Sequence, residues 1–158
     1  MKNAFNPEVI VEIYSANINL FVSSPLIIKI IEQAQKDFPF TFIALESLTS
    51  LTNQLDQLFW LIDKNGTVLL INNFFAEMLG QEKNNIQGKN YIDFISSSQA
   101  KLFIMIDNFV KDNKDCISIL GANFKAYHLP KEKRYIEFPV LDTGNNLVAI
   151  AGFSISKK

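Results

Sequence analysis

The residues able to do chemistry are few and far apart. The chain of 158 residues has one histidine, His128, and one cysteine, Cys116. One imidazole excludes any scheme needing a histidine pair, and one thiol excludes an internal disulfide and every CxxC motif. His128 precedes Leu129-Pro130-Lys131 between two strand-like runs and reads as a surface turn residue. Cys116 leads an apolar run and reads as a small core residue rather than a redox sensor. Asp112 and Asp115 are close enough in sequence for acid–base work, but they flank Lys111-Asp112-Asn113-Lys114, a run typical of a solvated loop. The sequence offers no glycine-rich phosphate loop, no His/Cys set with metal-ligand spacing and no serine-nucleophile motif. Neither catalysis nor a metal site is expected.

The composition points the same way. Apolar residues make up 48% of the chain and include 14 phenylalanines, enough for one well-filled core. Fifteen basic residues balance sixteen acidic ones, and Arg134 is the lone arginine. No basic face is evident, so nucleic-acid binding is not expected. The start, Met1-Lys2-Asn3-Ala4, has no signal-peptide core, and the apolar stretches around Val9 and Leu147 are too short to cross a bilayer. A soluble, cytoplasmic protein without membrane association is expected.

The elements that would position any site fall into two segments. In the first, Val9–Tyr14 is rich in β-branched residues and reads as a strand. Ser24 and Pro25 read as the N-cap and first turn of a helix, whose stripe is Leu26, Ile27, Ile30, Ile31, Ala34 and Phe38. Pro39 should end that helix, and Phe40–Ala44 reads as a second strand. Residues 1–46 would then form a β-α-β extension, similar in layout to the opening of thioredoxin-like and receiver folds but without their cysteines or acidic cluster. A connecting helix is expected over 47–57, where Leu48, Leu51, Leu55 and Leu58 follow a heptad-like spacing.

The second segment, 58–158, opens with a hairpin. Phe59–Asp63 and Thr67–Ile71 flank Lys64-Asn65-Gly66, and Asn-Gly suits a two-residue turn with both residues at positive φ. Asn72 should cap the helix that holds Phe74, Phe75, Met78 and Leu79, and Gly80 should stop it. Ser97–Asp112 reads as a longer helix with Leu102, Met105, Ile106, Phe109 and Val110 on one face. Strand-like runs follow at 116–127, 133–141 and 147–155. Pro139 within the second of these suggests a local bulge.

Asp63-x-x-Gly66, Asn72, Gly80 and Gly88, then Ile86–Asn90 with Tyr91–Ile95, and finally Pro139–Gly144, come in an order that resembles a PAS domain over about residues 51–158. The resemblance implies an α+β fold: a five-stranded antiparallel sheet with helices on one face, preceded here by the β/α extension. It implies a sensory or protein-interaction module of signal transduction, or alternatively a sensor binding an apolar small molecule in its core. Haem-binding members take their histidine from the long helix, which has none here. Light-sensing members place a cysteine before that helix and amides on the last strands, and this sequence does neither. No tightly bound haem or photoactive flavin is therefore expected. If a cavity exists, Phe75, Met78, Phe94, Leu102, Ile106 and Phe138 should line it, with Ala76 on the far side of its helix.

The strands 58–62, 68–71 and 147–153 are apolar on both alternating faces, so the sheet should be covered on both. The leucine helix, the extension or a second copy would cover the outer face. A homodimer is expected, with Leu48, Leu51 and Leu55 near the centre of its interface. The chain ends just after the last strand, at Ser156-Lys157-Lys158, as either a stand-alone adaptor or a piece of a longer sensor.

Overall fold

In the computed structural model the residues described are 11–13, 25–36, 40–94, 97–120 and 133–156. The elements are β1 (Val11–Ile13), α1 (Pro25–Lys36), α2 (Phe42–Thr52), β2 (Phe59–Asp63), β3 (Val68–Ile71), α3 (Asn73–Leu79), α4 (Ser97–Asn113), β4 (Ile117–Leu120), β5 (Lys133–Leu141) and β6 (Leu147–Ser156). Short 3-10 turns lie at Lys83–Asn85 and Tyr91–Phe94. The expected five-stranded antiparallel sheet is present as β4-β5-β6-β2-β3, and β1 adds to its edge as a sixth strand beside β4. Among the described residues no helix is long and apolar enough to cross a membrane.

The extension is built differently from the expected β-α-β unit. Phe40–Ala44 is not a second strand, because Thr41 caps a helix there, its side chain accepting from the Ala44 amide at 3.2 Å. With that cap in place, the aromatic Phe42 and β-branched Ile43 enter α2, and their strand propensity is overridden. The β1 strand pairs antiparallel with β4 rather than parallel with a neighbour in its own segment. Ser24 and Pro39 lie outside the described residues.

Both faces of the sheet are covered, and α1 and α2 cover one of them within the chain. Ile27, Ile30, Ile31 and Ala34 of α1 and Leu48 of α2 pack with Phe59, Leu61, Ile136, Phe138, Val140, Ala151 and Phe153 from the strands. Leu48 is fully buried, Leu55 is buried, and Leu51 packs half-buried on the same core. These leucines therefore pack against their own sheet. On the other face, α3, α4 and the segment between them cover Leu58, Ile62, Val68, Ile71, Ile117, Tyr135 and Ile150.

Asn72 fastens the two layers together. Its Oδ1 accepts from the Phe75 amide at 3.1 Å, the expected cap, and from the Phe59 amide at 3.2 Å. Its Nδ2 donates to the carbonyls of Thr52 at 3.0 Å and Gln57 at 2.7 Å. All the hydrogen-bonding capacity of a fully buried amide is thus used. Gly80 ends α3 at φ 66°, as expected of a left-handed C-cap.

The β2–β3 loop differs from the expected two-residue turn. Gly66 alone has positive φ, at 84°, and Asn65 does not. The Gly66 amide donates to the Asp63 carbonyl, the Asp63 amide to the Thr67 carbonyl, and Asp63 Oδ1 accepts from the amides of Asn65 and Thr67. This is a three-residue loop closed by a left-handed residue. The β5–β6 loop repeats it, with Asp142 accepting from Gly144 and Asn146 and Asn145 as the left-handed residue at φ 62°. Pro139 pairs regularly with Ile150, and the irregularity falls just after it, between Val140 and Leu141.

Candidate functional site

The face under α3 and α4 is not filled. A cavity of about 200 Å³ lies between these helices and the sheet. Trp60 and Ile62 of β2, Val68 of β3, Phe75 and Leu79 of α3, Ile86, Tyr91 and Phe94 of the connecting segment, Phe103 of α4 and Tyr135 of β5 supply most of its wall. Its aromatic rings are mutually braced: Trp60 meets Phe75 edge-on at 5.8 Å between centroids, and Tyr91 meets Phe103 edge-on at 6.1 Å.

Of the expected lining residues, the structure brings Phe75 and Phe94 to this cavity. Met78, Leu102 and Ile106 belong to the same core but pack behind the wall. Phe138 is misassigned by sequence: it lies on the opposite face, in the core under α1 and α2. Strand alternation explains the error, because Tyr135 and Glu137 share one face while Ile136 and Phe138 share the other. Ala76 is buried within the cavity-side core rather than on the far side of α3.

The same alternation aims Glu137 into the cavity. It is 3% exposed, and Asp107 of α4, 4% exposed, stands beside it. Tyr91 donates its hydroxyl to Asp107 Oδ2 at 2.6 Å, and the Trp60 indole beside the Glu137 carboxyl favours its ionised form. Asp107 Oδ1 and Glu137 Oε2 have no other donor. Two carboxyls hydrogen-bonded to each other in this way must share a proton, since two buried carboxylates in contact repel. Burial pushes Asp107 up to about 6, although the Tyr91 and Glu137 hydrogen bonds and the nearby Lys111 pull it down. Burial, then the Asp107 charge, raises Glu137 well above the usual carboxylate range. The Tyr91 hydroxyl is raised by burial and by Asp107.

Gly152 permits this arrangement. It pairs with Trp60 on one side and Glu137 on the other, so the row Trp60, Gly152, Glu137 crosses three adjacent strands. A Cβ at Gly152 would fall inside the Trp60 indole. Only with that Cβ missing can the indole lie across β6 and reach the acid. The sequence signal for the pair was present: Glu137 is the one charge inside the apolar run Tyr135–Val140, and Asp107 sits among Phe103, Ile106 and Val110 on α4.

Cys116 is buried in the core under α1 and α2, as expected, and burial with the Asp115 charge pushes its thiol up to about 12. His128 lies outside the described residues. Among the described residues no three His, Cys, Asp or Glu side chains are grouped to hold a metal ion.

Residues 46–120 match the family model described as the PAS fold. None of the curated proteins matches the sequence. Among solved structures, a sensory box sensor histidine kinase from Vibrio cholerae superposes with a TM-score of 0.57 at 14% identity, over 72% of this chain and 92% of that one. The PAS domain of Bordetella pertussis BvgS gives 0.57 at 16% identity, over 72% and 86%. The PAS-B domain of Drosophila melanogaster Cycle with bound glycerol gives 0.50 at 8% identity, over 63% and 98%. At such identities the likeness is one of fold.

Proposed function

This chain carries a PAS domain, and from that premise we propose that it is a sensory module of intracellular signal transduction whose signal is a small, largely apolar molecule taken into the cavity under α3 and α4. The observation that carries this reading is the cavity itself, about 200 Å³ in volume and walled mostly by aromatic and aliphatic side chains. An apolar space of about 150 Å³ is enough to hold benzene. Pockets for drug-sized ligands begin at about 300 Å³, so the volume favours a single-ring molecule over haem or flavin. The role is one of binding and signalling rather than catalysis. A solved tryptophan-to-alanine variant of the Cycle PAS-B domain has glycerol bound, which accords with a small-molecule reading here.

Occupancy would be felt first by Tyr91, which touches both the cavity and α4 through Asp107. A change there reaches the β2–β3 loop, because the Tyr91 amide donates to the Gly66 carbonyl. Pairing of two copies would have to use a surface other than the leucines of α2, which are turned inward.

Trp60 is the single tryptophan and stands in the cavity wall, so its fluorescence reports occupancy. Titration with benzyl alcohol should give a saturable change in emission and raise the melting temperature. Leu79→Phe, which fills the space from its half-buried margin, should weaken both effects. A linear, non-saturating response in the wild type would defeat the reading.

A further inference from the structure

We propose that the cavity selects a small organic ammonium, an apolar body bearing a primary amine, and that Asp107 and Glu137 take its N–H groups. This rests on the cavity being a ligand site, as argued above.

The two acids are more than nine-tenths buried, and apart from the proton they share, Asp107 Oδ1 and Glu137 Oε2 have no donor among the described residues. Buried carboxyls are costly unless hydrogen-bonded or paired with a cation. Among the described residues no Lys, Arg or His side chain lines the cavity. Among the described residues the charged groups around the pair are Asp107 and Lys111 on α4 and Glu137 on β5, with the Tyr91 hydroxyl as a donor from the 3-10 turn and the Trp60 indole of β2 beside them. Lys111 lies one turn beyond Asp107 and lines an outer cleft, which Tyr91 and Asp107 also border, rather than the cavity. Compensation from the cavity side is therefore left to a ligand.

An anion would meet two acids, and a neutral hydrocarbon would leave the negative charge of the pair without a counterion. An ammonium carries three donors and no acceptor, enough for both acids. The rest of the wall suits it, because the faces of Trp60, Tyr91 and Phe103 attract a cation while their bulk excludes water. The proton balance is simple. The acid pair holds one shared proton and one negative charge; as the ammonium enters, that proton leaves to solvent, and the doubly ionised pair holds the cation. Binding should therefore release a proton and tighten as pH rises, until the amine itself loses its charge.

The test compares benzylamine, benzyl alcohol and benzoate, which share one ring, on the full chain at neutral pH. Trp60 fluorescence gives affinity, and calorimetry in buffers of different ionisation enthalpy gives proton release. Benzylamine should bind about tenfold or more tightly than benzyl alcohol, and benzoate least, as expected of a charge-assisted pair. The double variant D107N/E137Q removes the charges at nearly constant volume; it should lose the preference for the amine while keeping its affinity for benzyl alcohol. Circular dichroism checks that this variant is folded; should it not be, Glu137→Gln alone must show the same loss. Benzyl alcohol binding as tightly as benzylamine to the wild type, or an amine preference surviving the substitutions, overturns the proposal while leaving the cavity as a ligand site. Binding of none of the three probes overturns both.

Discussion

The two faces of one sheet have been finished in opposite ways. Under α1 and α2 the strands present Ile136, Phe138, Val140, Ala151 and Phe153, and the helices fill the space against them. Under α3 and α4 the same strands present Tyr135, Glu137 and Gly152, and the helices leave a cavity. Because neighbouring residues on a strand point to opposite faces, one stretch of β5 builds both surfaces. The filled face supplies cohesion, and that allows the hollow face to carry an acid pair and empty volume that would otherwise be liabilities. In this chain close packing and the cavity are divided between alternate residues of the same strands.

That division can be broken most severely on the filled side. Phe138→Ala should cost about 3–5 kcal/mol, because Phe138 is 1% exposed in a close-packed core. Phe94→Ala, at the half-buried wall of the cavity, should cost only about 1 kcal/mol. Urea denaturation of both variants checks the contrast, and equal losses would mean that the hollow face is not hollow. Next comes the joint between the faces. Asn72→Ala should cost about 2–3 kcal/mol, more than a lone helix cap, since the Phe59 amide and the Thr52 and Gln57 carbonyls lose their partner as well.

Much of this was readable beforehand, and the reasons differ by element. The Asn72 cap, the Gly80 stop and the span of α4 follow from local rules that tertiary structure had no cause to override. Phe40–Ala44 misled because its residues favour a strand in isolation, while a single Thr41 hydroxyl and the sheet waiting to be covered favour a helix. Asn65-Gly66 misled because Asp63 accepts from two loop amides and so stabilises a longer loop. The cavity was the least readable feature. A helical stripe shows which side is apolar, but not whether it packs tightly, and Phe138 was placed on the wrong face although its strand was right. Glu137 and Asp107 were visible as charges inside apolar runs; that they meet depends on strand order, which a single sequence does not display.

A subtler perturbation probes how the row across the sheet is built. Gly152→Ala should cost about 1–3 kcal/mol through overpacking and should shift Trp60 emission, because the indole must leave β6. The mildest effect concerns pH. Asp107 and Glu137 are both raised in the folded chain, so the native state holds their proton more tightly than the unfolded one. The stability they contribute is complete below the ordinary carboxylate range and falls away as pH rises through about 6, the value for Asp107. Glu137→Gln should flatten this decline and leave the protein more stable than wild type at alkaline pH, as read from melting temperatures across a pH series. A parallel decline in both proteins would mean that other groups cause it.

The difference between the faces is tested most directly by methyl-resolved NMR during titration with benzyl alcohol. Methyl groups of Ile62, Val68, Leu79 and Ile86 border the cavity, and those of Ile27, Ile30, Ile136 and Val140 lie in the filled core. The first set should shift progressively and saturate with a common dissociation constant, while the second set stays in place. Shifts spread evenly over both sets, or confined to the second, would contradict the account.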